Sequence, residues 1–176
     1  MDSKREPISM ASQVVDVALK AGAEAADAFV RSSSSLSMSV RNGETESLQK
    51  ASTFGLGLRV MVDSRTVLVH TTDTGRIGLL KLVTRAIDMA RTLPEPKEPV
   101  PFGSPQDVES LPHPDPALAS ESSETKTERL CAIEKAMLAV NGVTRSGGVS
   151  YNERDSEDIL VNSEGIRLSN SNFGSF

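Results

Sequence analysis

Between Leu36 and Val40 every second residue is apolar: Leu36, Met38 and Val40 alternate with Ser37 and Ser39. A period of two is the mark of a strand with one buried face. Arg41-Asn42-Gly43-Glu44 follows, and Asn-Gly is the preferred pair for a two-residue type I′ turn, whose twist matches the strands it joins. A second alternating run then carries Phe54, Leu56, Leu58, Val60 and Val62 on one face and Gly55 and Gly57 on the other. The stretch Ser35–Val62 is therefore expected to be a meander. It reads as a strand to Val40, a hairpin turn at Asn42-Gly43 and two more strands, with the glycines marking a bend or a close approach.

The helical period appears on either side of this run. Val14, Val15, Ala18 and Leu19 share one face of a helix that Gly22 closes with a left-handed cap. After the strand "TVLVHTTD", Ile77, Leu80, Val83, Ile87 and Ala90 recur at spacings of three and four. Thr72, Asp73 or Thr74 is placed to cap that helix, and Pro94 ends it. In "TKTERLCAIEKAMLAVNG", Thr125 and Glu128 fit a capping box. Leu130, Ile133, Met137 and Val140 form the expected buried stripe, and Asn141-Gly142 terminate the helix. The tail alternates again, as strands with turns near Arg154-Asp155 and Glu164-Gly165.

Eight of the nine prolines lie between Pro94 and Pro116, where neither a regular helix nor a central strand can form. Residues 94–123 thus read as a linker between a helix–strands–helix half, 1–93, and a helix–strands half, 124–176. Phe102, Val108 and Leu111 are placed to dock it on the core, and a wholly disordered stretch is the competing reading. Helix, four or so strands, helix, linker, helix, strands is the order of an α+β domain: an antiparallel sheet packed on helices. An alternating strand ending at Phe176 suggests a domain cut from a longer protein.

Composition narrows the function classes. The 176 residues carry a net charge of -5 with Lys and Arg dispersed, which argues against direct nucleic-acid binding. Aromatics make up only 3% and tryptophan is missing, so stacking platforms are scarce. One cysteine, a missing signal-peptide core and no apolar run of transmembrane length give a cytoplasmic protein as the simple expectation.

Candidate chemistry is thin. Gly55 and Gly57 continue as strand instead of opening a helix, so they do not make a phosphate loop. His70 and His113 are the two histidines, and neither has metal-ligand spacing; His70 with Asp73 falls short of a zinc set. Cys131 lies one position off the Leu130/Ile133 stripe and reads as helix packing. The run "RSSSSLSMS" has no nucleophile elbow and reads as the solvent face of a strand. Glu44/Glu46 and Glu157/Asp158 read as solubilising charges. No catalytic, cofactor-binding or metal residue is assigned.

The order of segments resembles a known family. "AGAEAADAFVRSSSSLSMSVRNGETESLQKASTFGLGLRVMVDSRTVLVHTTD" is similar to the N-terminal region of the TldD/PmbA proteins, and "SYNERDSEDILVNSEGIRLS" to a later stretch of the same region. The likeness runs from Ala11 to Phe176 and is closer to the PmbA (TldE) branch, sometimes labelled a modulator of DNA gyrase, than to TldD. The resemblance implies one subunit of a two-component cytoplasmic metalloprotease acting on peptides or unfolded proteins. In that family TldD carries an HExxxH zinc motif and PmbA does not, so zinc would sit in the partner, and none is expected in this chain. The family's proteins are much longer, with a β-rich second half. No HExxxH segment occurs here, so neither metal ligands nor a catalytic glutamate carries over to any residue. The gyrase label finds no support in an acidic chain without basic patches.

The resemblance thus implies a non-catalytic N-terminal module that meets a TldD-like subunit or a second copy of itself. Its sheet edges would bind extended peptides by strand addition, with no nucleic acid or membrane among its partners. Two rivals stand beside it: a stand-alone small binding domain, and a self-sufficient hydrolase using Cys131 or a serine.

Overall fold

The computed structural model describes residues 5–98, 101–105 and 120–175. In chain order they form α1 (Arg5–Lys20), β1 (Ala25–Arg41), β2 (Glu44–Val62), β3 (Arg65–Thr71), α2 (Arg76–Thr92), α3 (Ser123–Leu138), β4 (Val149–Asn162) and β5 (Arg167–Ser175). The five strands make one sheet in the order β3-β2-β1-β4-β5. β3 pairs antiparallel with β2 from Leu56↔Thr71 to Val62↔Arg65. Side-chain bonds from Arg31 to Asp158 and from Ser37 to Asn152 run in opposite senses along β1 and β4, as an antiparallel pair requires. The expected α+β class holds.

The described residues fall into two compact units, lying within Met1–Ser32, Phe54–Leu111 and Glu157–Asn170 for the first, and Ser33–Thr53, Pro112–Ser156 and Ser171–Phe176 for the second. In the first, Val14, Val15 and Ala18 of α1 and Val83, Ala86 and Ile87 of α2 cover Val30, Leu58, Val60 and Ile159 of the sheet. Leu19, expected on that face, is half-exposed, because Ala11, Val15 and Ala18 carry the contact line and Leu19 falls at its margin. Ile77 is 70% exposed and Leu80 also faces outward; the buried side of α2 is Leu82, Val83, Ala86, Ile87 and Ala90.

Nor do the threonines or Asp73 cap α2. Gly75 holds the N-cap without a side-chain bond, while Asp73 Oδ1 accepts from the Gly75 N–H at 3.1 Å and its carboxylate sits where a Cβ on Gly78 would go. Leu93 is extended just before Pro94 and ends the helix as expected. Gly22 takes φ 104° behind α1, also as expected.

The glycines do not divide β2, which is one strand of 19 residues where two were expected. A Cβ on Gly55 would meet the Thr71 carbonyl at 3.7 Å, and one on Gly57 the carbonyls of Phe29 and Val69 at 3.9 Å. These are ordinary contacts with neighbouring strands, so nothing packs closely there. Asn42 (φ 55°) and Gly43 (φ 76°) form the expected primed turn. Asp63 (φ 48°) and Ser64 (φ 64°) repeat it between β2 and β3 without a glycine.

The second unit has a smaller core: Leu36, Met38 and Val40 of β1 against Leu130 of α3, with Cys131, Val149 and Tyr151 around them. Ser122 caps α3, accepting from the Thr125 N–H at 3.2 Å, in place of the expected Thr125/Glu128 box. The stripe differs too. Lys126, Leu130 and Glu134, spaced by four, face inward, while Ile133, Met137 and Val140 are exposed. α3 ends at Leu138, ahead of Asn141-Gly142. β4 runs unbroken through Arg154-Asp155, where a turn was expected; the turn at Glu164-Gly165 is present, with Gly165 at φ 96°. Of the linker anchors, Phe102 docks with its ring 4.1 Å from the Arg59 guanidinium. Val108, Leu111, His113 and Phe176 lie outside the described residues.

Candidate functional site

A primed turn points two successive N–H groups at one spot, and both turns at the ends of β2 place a carboxylate there. In the second unit Asn42 and Gly43 donate to Glu134 Oε1 and Oε2 at 3.1 and 2.8 Å. Glu134 is 1% exposed, and its carboxyl is held below the usual range, first by the Gly43 N–H, then by Ser146, Asn42 and the charge of Arg41. Cys131 adds an Sγ–H bond to the Gly43 carbonyl at 3.5 Å. In the first unit Glu24 accepts from the N–H groups of Asp63 and Ser64 at 3.0 and 3.4 Å. Each turn is latched by a glutamate distant in sequence.

The second unit also buries an ionic cluster. Lys126, 3% exposed, donates to Glu153 Oε2 at 2.6 Å, and Tyr151 donates to the same oxygen at 2.8 Å. Burial raises the Tyr151 phenol above its ordinary range, and Glu153 adds to the shift through its hydrogen bond and charge. Glu153 Oε2 is thus shared between a cation and a phenol.

One feature of this unit is unused by the fold. β3 covers β2 only from Leu56 to Val62, so among the described residues no strand pairs that side of Glu44–Gly55. All ten residues from Glu44 to Thr53 are exposed, Leu48 among them. On the β1 side this segment is tied down by Ser39 with Ser47 and Ser33 with Thr53, both at 2.8 Å. The result is a long, held strand whose outer edge over this segment pairs with no other strand among the described residues.

The first unit offers a groove of about 770 Å³ between α1 and α2, walled by Met10, Val14, Val17, Leu79, Leu80 and Val83. Asp16, Lys20 and Arg76 also line it. On its sheet, Arg59 is bonded to Asp27 through Nε at 2.9 Å and again through Nη2, and Arg31 to Asp158 at 2.6 and 2.7 Å. Asp158 is therefore a structural partner of Arg31, not the solubilising charge expected of it, and its carboxyl is lowered first by the Arg31 hydrogen bond. Glu46 lies within 3.4 Å of Arg41 and stays exposed.

The remaining candidates do not converge. His70 is exposed on β3, Cys131 is half-buried on α3, and Ser37 and Ser39 are bonded to Asn152 and Ser47 across strands. Among the described residues no three His, Cys, Asp or Glu side chains are grouped to hold a metal, and no described helix is long and apolar enough to cross a membrane. Sequence reasoning missed Lys126, Glu134 and Glu24. The spacing of four through Leu130 was the available signal for the first two; nothing local marked Glu24.

Residues 26–90 match the model of the first domain of the PmbA/TldA metallopeptidases. Over 150 residues the chain is 28% identical to metalloprotease PmbA of Escherichia coli O157:H7, which covers 81% of this chain and 32% of that protein. A solved structure of a candidate modulator of DNA gyrase from Bacteroides thetaiotaomicron VPI-5482 is 26% identical, with a TM-score of 0.78 over 98% of this chain and 39% of that one. TldE of Thermococcus kodakarensis, at 17% identity, shares the fold with a TM-score of 0.80 over 94% of this chain and 37% of its own. The chain thus spans about a third of the length of the relatives it matches.

Proposed function

We propose that this chain, similar over residues 26–90 to the first domain of the PmbA/TldA metallopeptidases and in fold to solved relatives, is an N-terminal domain of the PmbA/TldD family and the non-catalytic module of a PmbA/TldE-like subunit. In this reading it works in the cytoplasm beside a TldD-like subunit, which holds the zinc and cuts peptides or unfolded proteins. The module presents extended substrate to that partner. The observation that carries this reading is the outer edge of β2 at Glu44–Thr53, which pairs with no strand among the described residues. An unpaired edge binds an extended chain through main-chain hydrogen bonds, which reads backbone and tolerates many sequences. The ionisable groups fit a scaffold as well: Glu24, Glu134, Glu153 and Asp158 are each committed to a turn or a pair.

The test is to purify this chain with and without a TldD-like subunit from the same genome and follow cleavage of an unfolded protein such as casein. A stable complex whose cleavage is lost on adding a chelator, with no cleavage by this chain alone, is expected. Failure to form a complex, or chelator-resistant cleavage by the chain alone, would overturn the reading.

A further inference from the structure

The second unit differs from the first in what holds it together. Among the described residues the first core buries twenty-one apolar side chains, running from Ala11 on α1 to Val161 on β4. The second buries four: Leu36, Met38, Val40 and Leu130. Apolar burial is the main favourable term in folding, and local opening free energies follow it, so elements with little of it open first. The small core is supplemented by polar ties, namely Glu134 on the Asn42-Gly43 turn, Lys126 with Glu153, and Tyr151 with Glu153.

We propose that the hairpin arm Ser33–Thr53 and α3 form a separately opening element, latched by Glu134, which is released while the first unit stays folded. The physical argument is that the polar ties act together. Glu134 lies on the same inward row of α3 as Lys126 and Leu130, so loosening the turn also loosens the helix that covers Leu36, Met38 and Val40. Around Glu134 stand the N–H groups of Asn42 and Gly43, the Ser146 hydroxyl and the charge of Arg41, while Cys131 holds the Gly43 carbonyl beside it. No second carboxylate is among these contacts to share its role. This arm also carries that outer edge of β2, so opening governs when that edge is held straight. The inference itself does not rest on peptide handling, because opening is measured with no peptide or partner present.

Native-state hydrogen exchange on the whole chain tests it. In the wild type, the slowest amides of β1 between Leu36 and Val40 and of α3 around Leu130 are expected to share one protection factor. That factor should be on the order of a hundredfold below the amides of Val60 and Ile87. Glu134→Gln should lower the first group together by about tenfold and leave the second unchanged. Equal protection in both groups of the wild type would overturn the proposal without any variant. So would a Glu134→Gln effect confined to the Asn42 and Gly43 amides, or one spread equally over Val60 and Ile87.

Discussion

Replacing Lys126 with methionine keeps the stem packed beneath α3 and removes the charge. Glu153, whose side chain is 15% exposed, then loses its cation and keeps the Tyr151 hydroxyl as a donor. Removing one member of a buried ion pair costs about 3–5 kcal/mol, because the survivor keeps its desolvation penalty. Lys126→Met is expected near the lower end, about 3 kcal/mol, since a little water still reaches Glu153. Glu153→Gln strands an ammonium only 3% exposed and is expected nearer 4 kcal/mol. The double variant strands no charge and keeps an acceptor for Tyr151, so it should cost only about 1 kcal/mol. The assay is urea unfolding read through Tyr151, the single tyrosine of a chain without tryptophan, so the optical signal reports on this cluster. A double variant costing as much as both singles together would refute the buried-pair account, as would single costs below about 1 kcal/mol. Tyrosinate absorbance gives a second reading. The phenol titrates above its ordinary value, chiefly through burial, so Glu153→Gln should lower the midpoint without returning it to normal. A raised folded value contributes stability that is whole below about pH 10 and fades as pH climbs through the folded midpoint.

Other outcomes follow from the turns and carboxylates. Gly43→Ala meets no atom within 4 Å, so its expected loss of about 1 kcal/mol in urea is purely the cost of φ 76°, whereas Gly57→Ala should be neutral or slightly stabilising. Ser64→Gly should raise stability by up to about 1 kcal/mol by relieving a left-handed residue while keeping the N–H that Glu24 accepts; a drop in the urea midpoint would contradict this. The carboxyls of Glu134 and Asp158 are both lowered in the fold, by the Gly43 N–H and the Arg31 guanidinium respectively. Their contribution is therefore present above the unfolded carboxylate range near pH ~4 and is lost as pH falls through the lower folded values. Asp158→Asn should flatten the acid limb of a stability–pH curve.

Where a local rule decided the structure, the chain could be read directly. Asn42-Gly43 specified its own turn, Gly22 its cap, and the alternation around Met38 and Leu58 their buried faces. Reading failed where the answer depended on what lies opposite. Ile133 and Met137 have the spacing of a buried stripe, yet α3 presents the row of Lys126, Leu130 and Glu134, because partners on β4 and the β1–β2 turn make those polar side chains satisfiable. Asp63-Ser64 lacks the glycine that marks Asn42-Gly43 as a primed turn; Glu24, some forty positions earlier, holds it. Gly55 and Gly57 suggested a break where cross-strand pairing simply continued.

These failures share a cause that bears on function. Acidic side chains are structural at three places: Glu24 and Glu134, which no local pattern singled out, at the two ends of β2, and Asp158, expected as a solubilising charge, beside Arg31. A hydrolytic site needs carboxylates or imidazoles held free of such partners, so that they can exchange protons with substrate. Here two of these carboxylates are instead engaged in fixing the turns that begin and end β2, the strand whose outer side over Glu44–Thr53 pairs with no strand among the described residues. Latching a strand at both ends is worthwhile where a strand lies beside it on one side only, since a two-stranded ribbon is marginally stable by itself. Under the proposed template role, Glu134 holds the turn that begins β2, and Glu134→Gln should weaken capture of an extended chain in a peptide-binding assay; unchanged capture would refute that role.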